Sequence, residues 1–349
     1  MNRKPFEVSF HNMSDNTSSR PLIDQFGRAV TYIRISVTDR CDFRCTYCMA
    51  ENMTFLPKSE VLSLEEIEQI ATIFVARGVT KLRLTGGEPL VRRDIMTLIE
   101  RLGQQKKDGP LDELTLTTNG SQLKRFSSQL VASGVERINV SLDTLDADKF
   151  AKITRWGRLQ QVLDGIECAL EAGLKIKINM VALRGGNDHE IVPMMEWAHS
   201  KGMDLTLIET MPMGAVDIDR QDQYLPLTEV IDSIGARYTL EDLTLDTGGP
   251  ARYKRVSETG GRIGFIRPLT HNFCESCNRV RLTATGELYL CLGQNDKVNL
   301  RDALRQDGPQ AVADLLDHAM AIKPKGHDFE IDRLKPQRHV GRHMSVTGG

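Results

Sequence analysis

Six of the seven cysteines in this chain fall in two tight groups. Cys41, Cys45 and Cys48 share the stretch TDRCDFRCTYCMAE, and Cys274, Cys277 and Cys291 form the second set. Thiolates are the usual ligands of iron–sulfur clusters, and three of them on a four-iron cluster leave one iron open to a small molecule. Zinc is the alternative, with a fourth ligand from elsewhere. For the first group that ligand would be distant, because no histidine lies between Asn12 and Asp188; for the second, His271 is near in sequence. TGGEP, residues 85–89, adds glycines that permit close backbone approach and Glu88 as an acceptor for an ammonium. Taken alone, it also reads as a plain strand-ending turn. Cys168, in QQVLDGIECALEAG, reads as a small buried hydrophobe on an amphipathic helix.

The elements that must position these residues follow a regular plan. Strand-like runs at 31–37, 81–87, 113–120, 137–143, 175–181 and 204–210 alternate with helix-like runs. Ser63 and Glu66 form a capping-box start to the first helix, with Gly78 as its stop. Such alternation implies a parallel sheet. Six units are fewer than the eight of a closed barrel, so a partial barrel and an open doubly wound sheet both fit. The first cysteine group directly follows the first strand, on the side where strand ends feed loops. After about residue 240 the alternation stops, and the expected division is 21–245 and 246–349. Neither a dinucleotide-binding glycine fingerprint nor a P-loop is present in the sequence.

The bulk properties exclude several classes. Lys and Arg total 45 against 47 Asp and Glu, a net charge of −2, so nucleic acid and membrane surfaces have no global electrostatic claim. No apolar run approaches the ~20 residues of a membrane helix. Residues 1–20 read as a mobile polar arm without an apolar signal core, which sets the cytoplasm as the expected compartment. Thiols stay reduced there, so the cysteines read as ligands and not as disulfides.

C-x3-C-x2-C after a first strand, with Tyr47 before the last cysteine and TGGEP ending the second strand, resembles the radical S-adenosylmethionine (SAM) superfamily. The resemblance implies an α/β fold: a partial (β/α)6 barrel of parallel strands with a smaller C-terminal cluster-binding domain. The second set, Cys274-x2-Cys277-x13-Cys291 with NRVRL beside it, is similar to the GTP 3′,8-cyclases of molybdenum cofactor biosynthesis. That likeness spans roughly residues 20–349 and includes the Gly348-Gly349 tail, which in the family reaches into the active site.

The implied cofactors are two 4Fe–4S clusters and SAM. The implied reaction is reductive cleavage of SAM to a 5′-deoxyadenosyl radical, removal of the 3′ hydrogen of GTP, and closure of C3′ onto C8 of guanine to give 3′,8-cyclo-7,8-dihydro-GTP. Carried over residue by residue, Tyr47, Gly87, Ser141 and Met211 become SAM contacts. Arg34, Arg83, Thr117, Lys177, Arg279, Val280 and Arg281 become GTP contacts, the cations offsetting triphosphate charge. The implied partners are GTP, an electron donor, the downstream cyclic pyranopterin monophosphate synthase and a second copy of the chain. One departure stands out: where the family's sixth strand reads R-F-I-E, this chain reads TLIE, with Thr206 in the arginine's place. Two rivals remain at this point. One is another radical SAM enzyme with an auxiliary cluster, which the basic set disfavours. The other is a non-catalytic zinc or iron–sulfur regulator, which has no need of TGGEP or of Ser141.

Overall fold

The protein's structure is a computed structural model that describes residues 20–49, 51–211, 213, 222–245, 247–271, 273–327, 329, 340–342 and 344–348. The polar arm, Arg20 excepted, and Gly349 of the tail lie outside the described residues. Strands β1 (Tyr32–Ser36), β2 (Lys81–Thr85), β3 (Glu113–Thr118), β4 (Arg137–Ser141), β5 (Lys175–Ala182) and β6 (Asp204–Glu209) alternate with helices. The helices are α1 (Leu64–Ala76), α2 (Ile95–Asp108), α3 (Leu123–Ala132), α4 (Ala147–Thr154), α5 (Leu159–Glu171) and α6 (Ile191–Ser200). The expected capping box is present: Ser63 Oγ accepts from Glu66 N and Glu66 Oε2 from Ser63 N. Helix α4 is absent from the sequence-based plan. Its eight residues are too short to declare a period, but Asp146 caps it by accepting from Lys149 N.

The chain continues through α7 (Leu227–Gly235), β7 (Leu240–Leu243), β8 (Arg252–Val256), β9 (Arg262–Ile266), β10 (Arg279–Leu282), β11 (Glu287–Tyr289), β12 (Lys297–Asn299), α8 (Leu300–Asp307), α9 (Pro309–Ile322) and α10 (Met344–Thr347). The twelve strands among the described residues join one sheet, ordered β12-β11-β10-β1-β2-β3-β4-β5-β6-β9-β8-β7. The run from β10 to β9 is parallel throughout. The strands after residue 245 therefore extend the six-stranded parallel core at both of its edges, and β10 and β9 bring C-terminal residues beside β1 and β6.

A parallel sheet buried on both faces usually carries apolar residues on both. Here only one face does. Ile33, Ile35, Leu82, Leu84, Leu114, Leu116, Ile138 and Val140 belong to the hydrophobic core, with side chains from α1, α2, α3 and α5 in the same cluster. The alternate positions, such as Arg34, Arg83, Thr117, Asn139, Lys177 and Thr206, line a cavity of ≈ 300 Å³. A polar inner face on a buried sheet requires a polar occupant.

Candidate active site

The cations of the cavity are stacked side by side. Parallel register places Arg281, Arg34 and Arg83 next to one another on β10, β1 and β2. Two residues earlier on the same strands, Arg279, Tyr32 and Lys81 are neighbours. Like charges opposite one another in a sheet are destabilising, and carboxylates compensate only part of this set. Glu113 pairs with Lys81 at 2.7 Å and also with Arg137. The Nε atoms of Arg83, Arg279 and Arg281 are buried and lack a protein partner.

The surplus shows in the acidities. Burial, then the nearby Arg281 and Arg83, lowers Arg34 to about 9. Burial would raise Tyr32, yet Arg83, Arg34, Lys81 and Arg279 together bring it down to about 8. Burial, with Arg137 and Arg83 adding to it, lowers Lys177 to about 7. Arginine clusters of this kind suit the oxygens of a phosphate chain.

The Lys177 shift has a measurable consequence. The unfolded chain holds that proton to about pH 10.4, so between about pH 7 and that value this group makes the unliganded fold gain stability as pH rises. A polyanion in the cavity restores the charged form. Binding of a nucleoside triphosphate at pH 8 is therefore expected to take up a fraction of a proton that the Lys177→Met variant does not. Calorimetry in two buffers of different ionisation enthalpy reads this directly.

At the other end of the cavity, the loop after β1 brings Cys41, Cys45 and Cys48 to its wall. None of the seven cysteines is in a disulfide and all are half-buried, including Cys168 on α5, which does not line the cavity and is less buried than its sequence setting implied. Burial pushes the Cys41 thiol to about 12, with Glu88 and Asp42 adding to the shift. Cys45 is raised well above its usual value by burial and by Cys48 and Cys41. Thiols raised as Cys41 and Cys45 are stay protonated until a cation arrives, which is the behaviour of a ligand set. The turn after β2 packs closely on this loop. A Cβ on Gly87 would lie 2.3 Å from the Arg40 carbonyl oxygen, and one on Gly86, whose φ is +156°, 2.7 Å from that of Thr38. Both residues line the cavity, and neither position accepts a side chain.

The second triad sits where β10 begins. Cys274 and Cys277 precede that strand, Cys291 follows β11, and Arg281 acts on the charge of both Cys277 and Cys291. Burial would raise Cys277, but Arg279 and Lys323 lower it, so this triad stands among cations. Arg28 holds it from behind, its Nη1 donating to the Cys274 and Lys325 carbonyls at 2.7 and 2.6 Å. Among the described residues no three His, Cys, Asp or Glu side chains close on one ion-sized point. His271 is exposed. Each triad supplies three thiols, none of them in a disulfide, and this donor set fits a four-iron cluster with one open iron.

The structure brings most of the expected contact residues together. Arg34, Arg83, Thr117, Lys177, Arg279 and Arg281 line the cavity, as do Tyr47, Gly87, Ser141 and Met211. Val280 and Glu88 stand off the cavity wall. Val280 points to the opposite face and is fully buried in the hydrophobic core, because side chains alternate along β10. Glu88 does not line the cavity. Its carboxylate accepts from Leu90 N, Thr118 Oγ1 and Asn119 N at 3.0, 2.8 and 2.6 Å, locking the β2 turn to the end of β3. Burial raises it to about 7.

Thr206 does face the cavity, with its Oγ1 buried and unpartnered. The sequence reading missed Lys81, Asn139, Asn179, Asp143 and Tyr253, all on the cavity wall. Period-two alternation on β2, β4 and β5 marks the first three; Tyr253, on a strand near the sheet edge, carries no such signal. Gly348 of the tail also reaches the cavity, so close to Thr85 that a Cβ would lie 1.8 Å from its Oγ1.

A thiol triad at the end of the first strand of a parallel sheet, facing a cavity rich in cations, defines a radical SAM class of protein. The family model described as Radical SAM superfamily matches residues 35–198, and that described as Molybdenum Cofactor Synthesis C matches 203–329. The chain is 64% identical to a GTP 3′,8-cyclase of Rhizobium meliloti over 96% of both chains, and 62% identical to that of Sinorhizobium medicae over the full length of both. It belongs to the GTP 3′,8-cyclase family. Its fold is similar to that of SuiB of Streptococcus suis bound to S-adenosylmethionine, with a TM-score of 0.63 at 16% identity, covering 85% of this chain and 69% of that one.

Proposed function

We propose that the chain is a GTP 3′,8-cyclase that works in molybdenum cofactor biosynthesis. The observation that carries this reading is one cavity that has three thiols and a row of neighbouring cations on its wall. Cys41, Cys45 and Cys48 would hold a 4Fe–4S cluster beside SAM, and Cys274, Cys277 and Cys291 a second one beside the purine. When bound, these groups supply the reductive chemistry that removes a hydrogen from the ribose.

The chain's own residues do the rest. Arg34, Arg83, Arg281 and Lys177 hold the triphosphate, and Arg83 Nη1 reaches Thr117 Oγ1 at 3.3 Å. Phosphate anchored there and purine anchored at the second triad fix the ribose between them, so that C3′ and C8 meet in a closed geometry. The Gly348 tail and the two glycines of the β2 turn narrow the space and keep water out. An electron donor, the enzyme that consumes the cyclised product, a homodimer and a cytoplasmic setting complete the proposal. Among the described residues no helix is long and apolar enough to cross a membrane.

The test is substrate selection. Anaerobically reconstituted protein with SAM and a strong reductant is expected to form 5′-deoxyadenosine in step with GTP consumption and to leave ATP unchanged. Equal consumption of both nucleotides would count against a guanine site at the second triad.

A further inference from the structure

Helix α4 ends in a conformation that costs energy. Arg155 has φ +60° and ψ −42°, and Trp156 N donates to the Thr154 carbonyl at 2.7 Å. That is a three-residue γ-turn of the positive-φ kind, rare and strained for a residue with a side chain. Apart from glycines, Asp94 is the only other described residue with positive φ. Strain of this size persists where surrounding contacts enforce it, and here those contacts lead to the first cysteine loop.

Stopping α4 abruptly leaves its last carbonyls free, and the cysteine loop uses them. Arg44 N donates to the Thr154 carbonyl and Thr46 N to that of Ile153, both at 2.9 Å. The turn then swings the Arg155 guanidinium back over the loop. Its Nη1 donates to the carbonyls of Arg44 at 3.0 Å and Met49 at 3.2 Å, tying the two ends of the stretch that carries Cys45 and Cys48. The next residue acts on Arg44: the Trp156 ring lies 4.5 Å from that guanidinium, which donates in turn to the Cys41 carbonyl at 2.6 Å. This explains why Trp156, 56% exposed, stands on the surface.

We infer that the α4 end, with Arg155 as its positioning residue, is the bracket that holds Cys41, Cys45 and Cys48 in ligating shape. The inference rests on the reading of these cysteines as ligands of one iron–sulfur cluster. Three thiolates must meet one cluster with fixed spacing, and a loop with no regular structure lacks the stiffness to do so alone. Groups that orient ligands without touching the metal typically alter metal affinity by about 10- to 100-fold when removed.

The test uses the full chain, reconstituted anaerobically, with Arg155→Ala and Arg155→Gly. Both remove the guanidinium; the glycine variant also relieves the backbone, so it remains folded if strain alone is the concern. The parent is expected to hold about eight irons, two 4Fe–4S clusters. Both variants are expected to release the iron of the first site to a chelator about 10- to 100-fold faster. They should also lose the change in the first cluster's electron paramagnetic resonance spectrum that SAM causes in the parent. Iron at the second site and the melting temperature of the metal-free chain should stay near the parent's values. Parent-like release from both variants would overturn the inference, as would equal loss from both sites. A parent that binds no iron at Cys41, Cys45 and Cys48 would sink the underlying ligand reading instead.

Discussion

Arg34→Met is expected to cost affinity for GTP. Arg34 stands between Arg281 and Arg83, and burial with those neighbours lowers it to about 9. Truncating one partner of a desolvated charge pair costs roughly 2–5 kcal/mol, about 30- to 4,000-fold in affinity at 1.4 kcal/mol per decade. Methionine keeps the aliphatic stem while removing the charge. Calorimetry with GTP reads the loss directly. GTP binding equal to the parent's would mean that the cation row does not hold the phosphates.

Cys45→Ala is expected to end turnover altogether. The protein residues on the cavity wall orient and anchor, but none supplies a route to an unactivated C–H bond. Without its cluster the first site falls to the uncatalysed rate, a loss of at least ~10⁶-fold. Iron should fall to about four per chain, because the second triad lies on other strands and is held by Arg28. GTP binding should survive, since the cations on β1, β2 and β10 are untouched. An alanine variant that keeps all its iron would show that the first triad is not the ligand set.

Much of this was legible in the sequence because it depends on local patterns. The two triads are countable, the six βα units repeat at regular spacing, and Arg34, Arg83 and Lys177 each alternate with core residues on their strands. Four things were not legible, each for a physical reason. Strand pairing across 247 residues puts Arg281 beside Arg34, and no local signal announces it. Val280 was assigned with its neighbours as one stretch, although alternation sends it to the core. Glu88 has an acceptor's chemistry, but only the fold shows that Thr118 and Asn119 use it. Helix α4 was too short to declare itself, and its strained end cannot be read from Arg155 and Trp156 in a linear chain. Thr206 was visible as a departure from the family pattern. The structure adds that its hydroxyl is buried, faces the cavity and has no partner among the protein atoms.

The most direct measurement of the central claim is isotopic. The reconstituted protein is given SAM, a strong reductant and GTP deuterated at C3′, and the 5′-deoxyadenosine is analysed by mass spectrometry. The account predicts one deuterium in the 5′-deoxyadenosine, matched by loss of GTP, and neither product in Cys45→Ala. 5′-Deoxyadenosine that forms without deuterium would contradict it, because the hydrogen would then come from a position other than C3′ of the ribose.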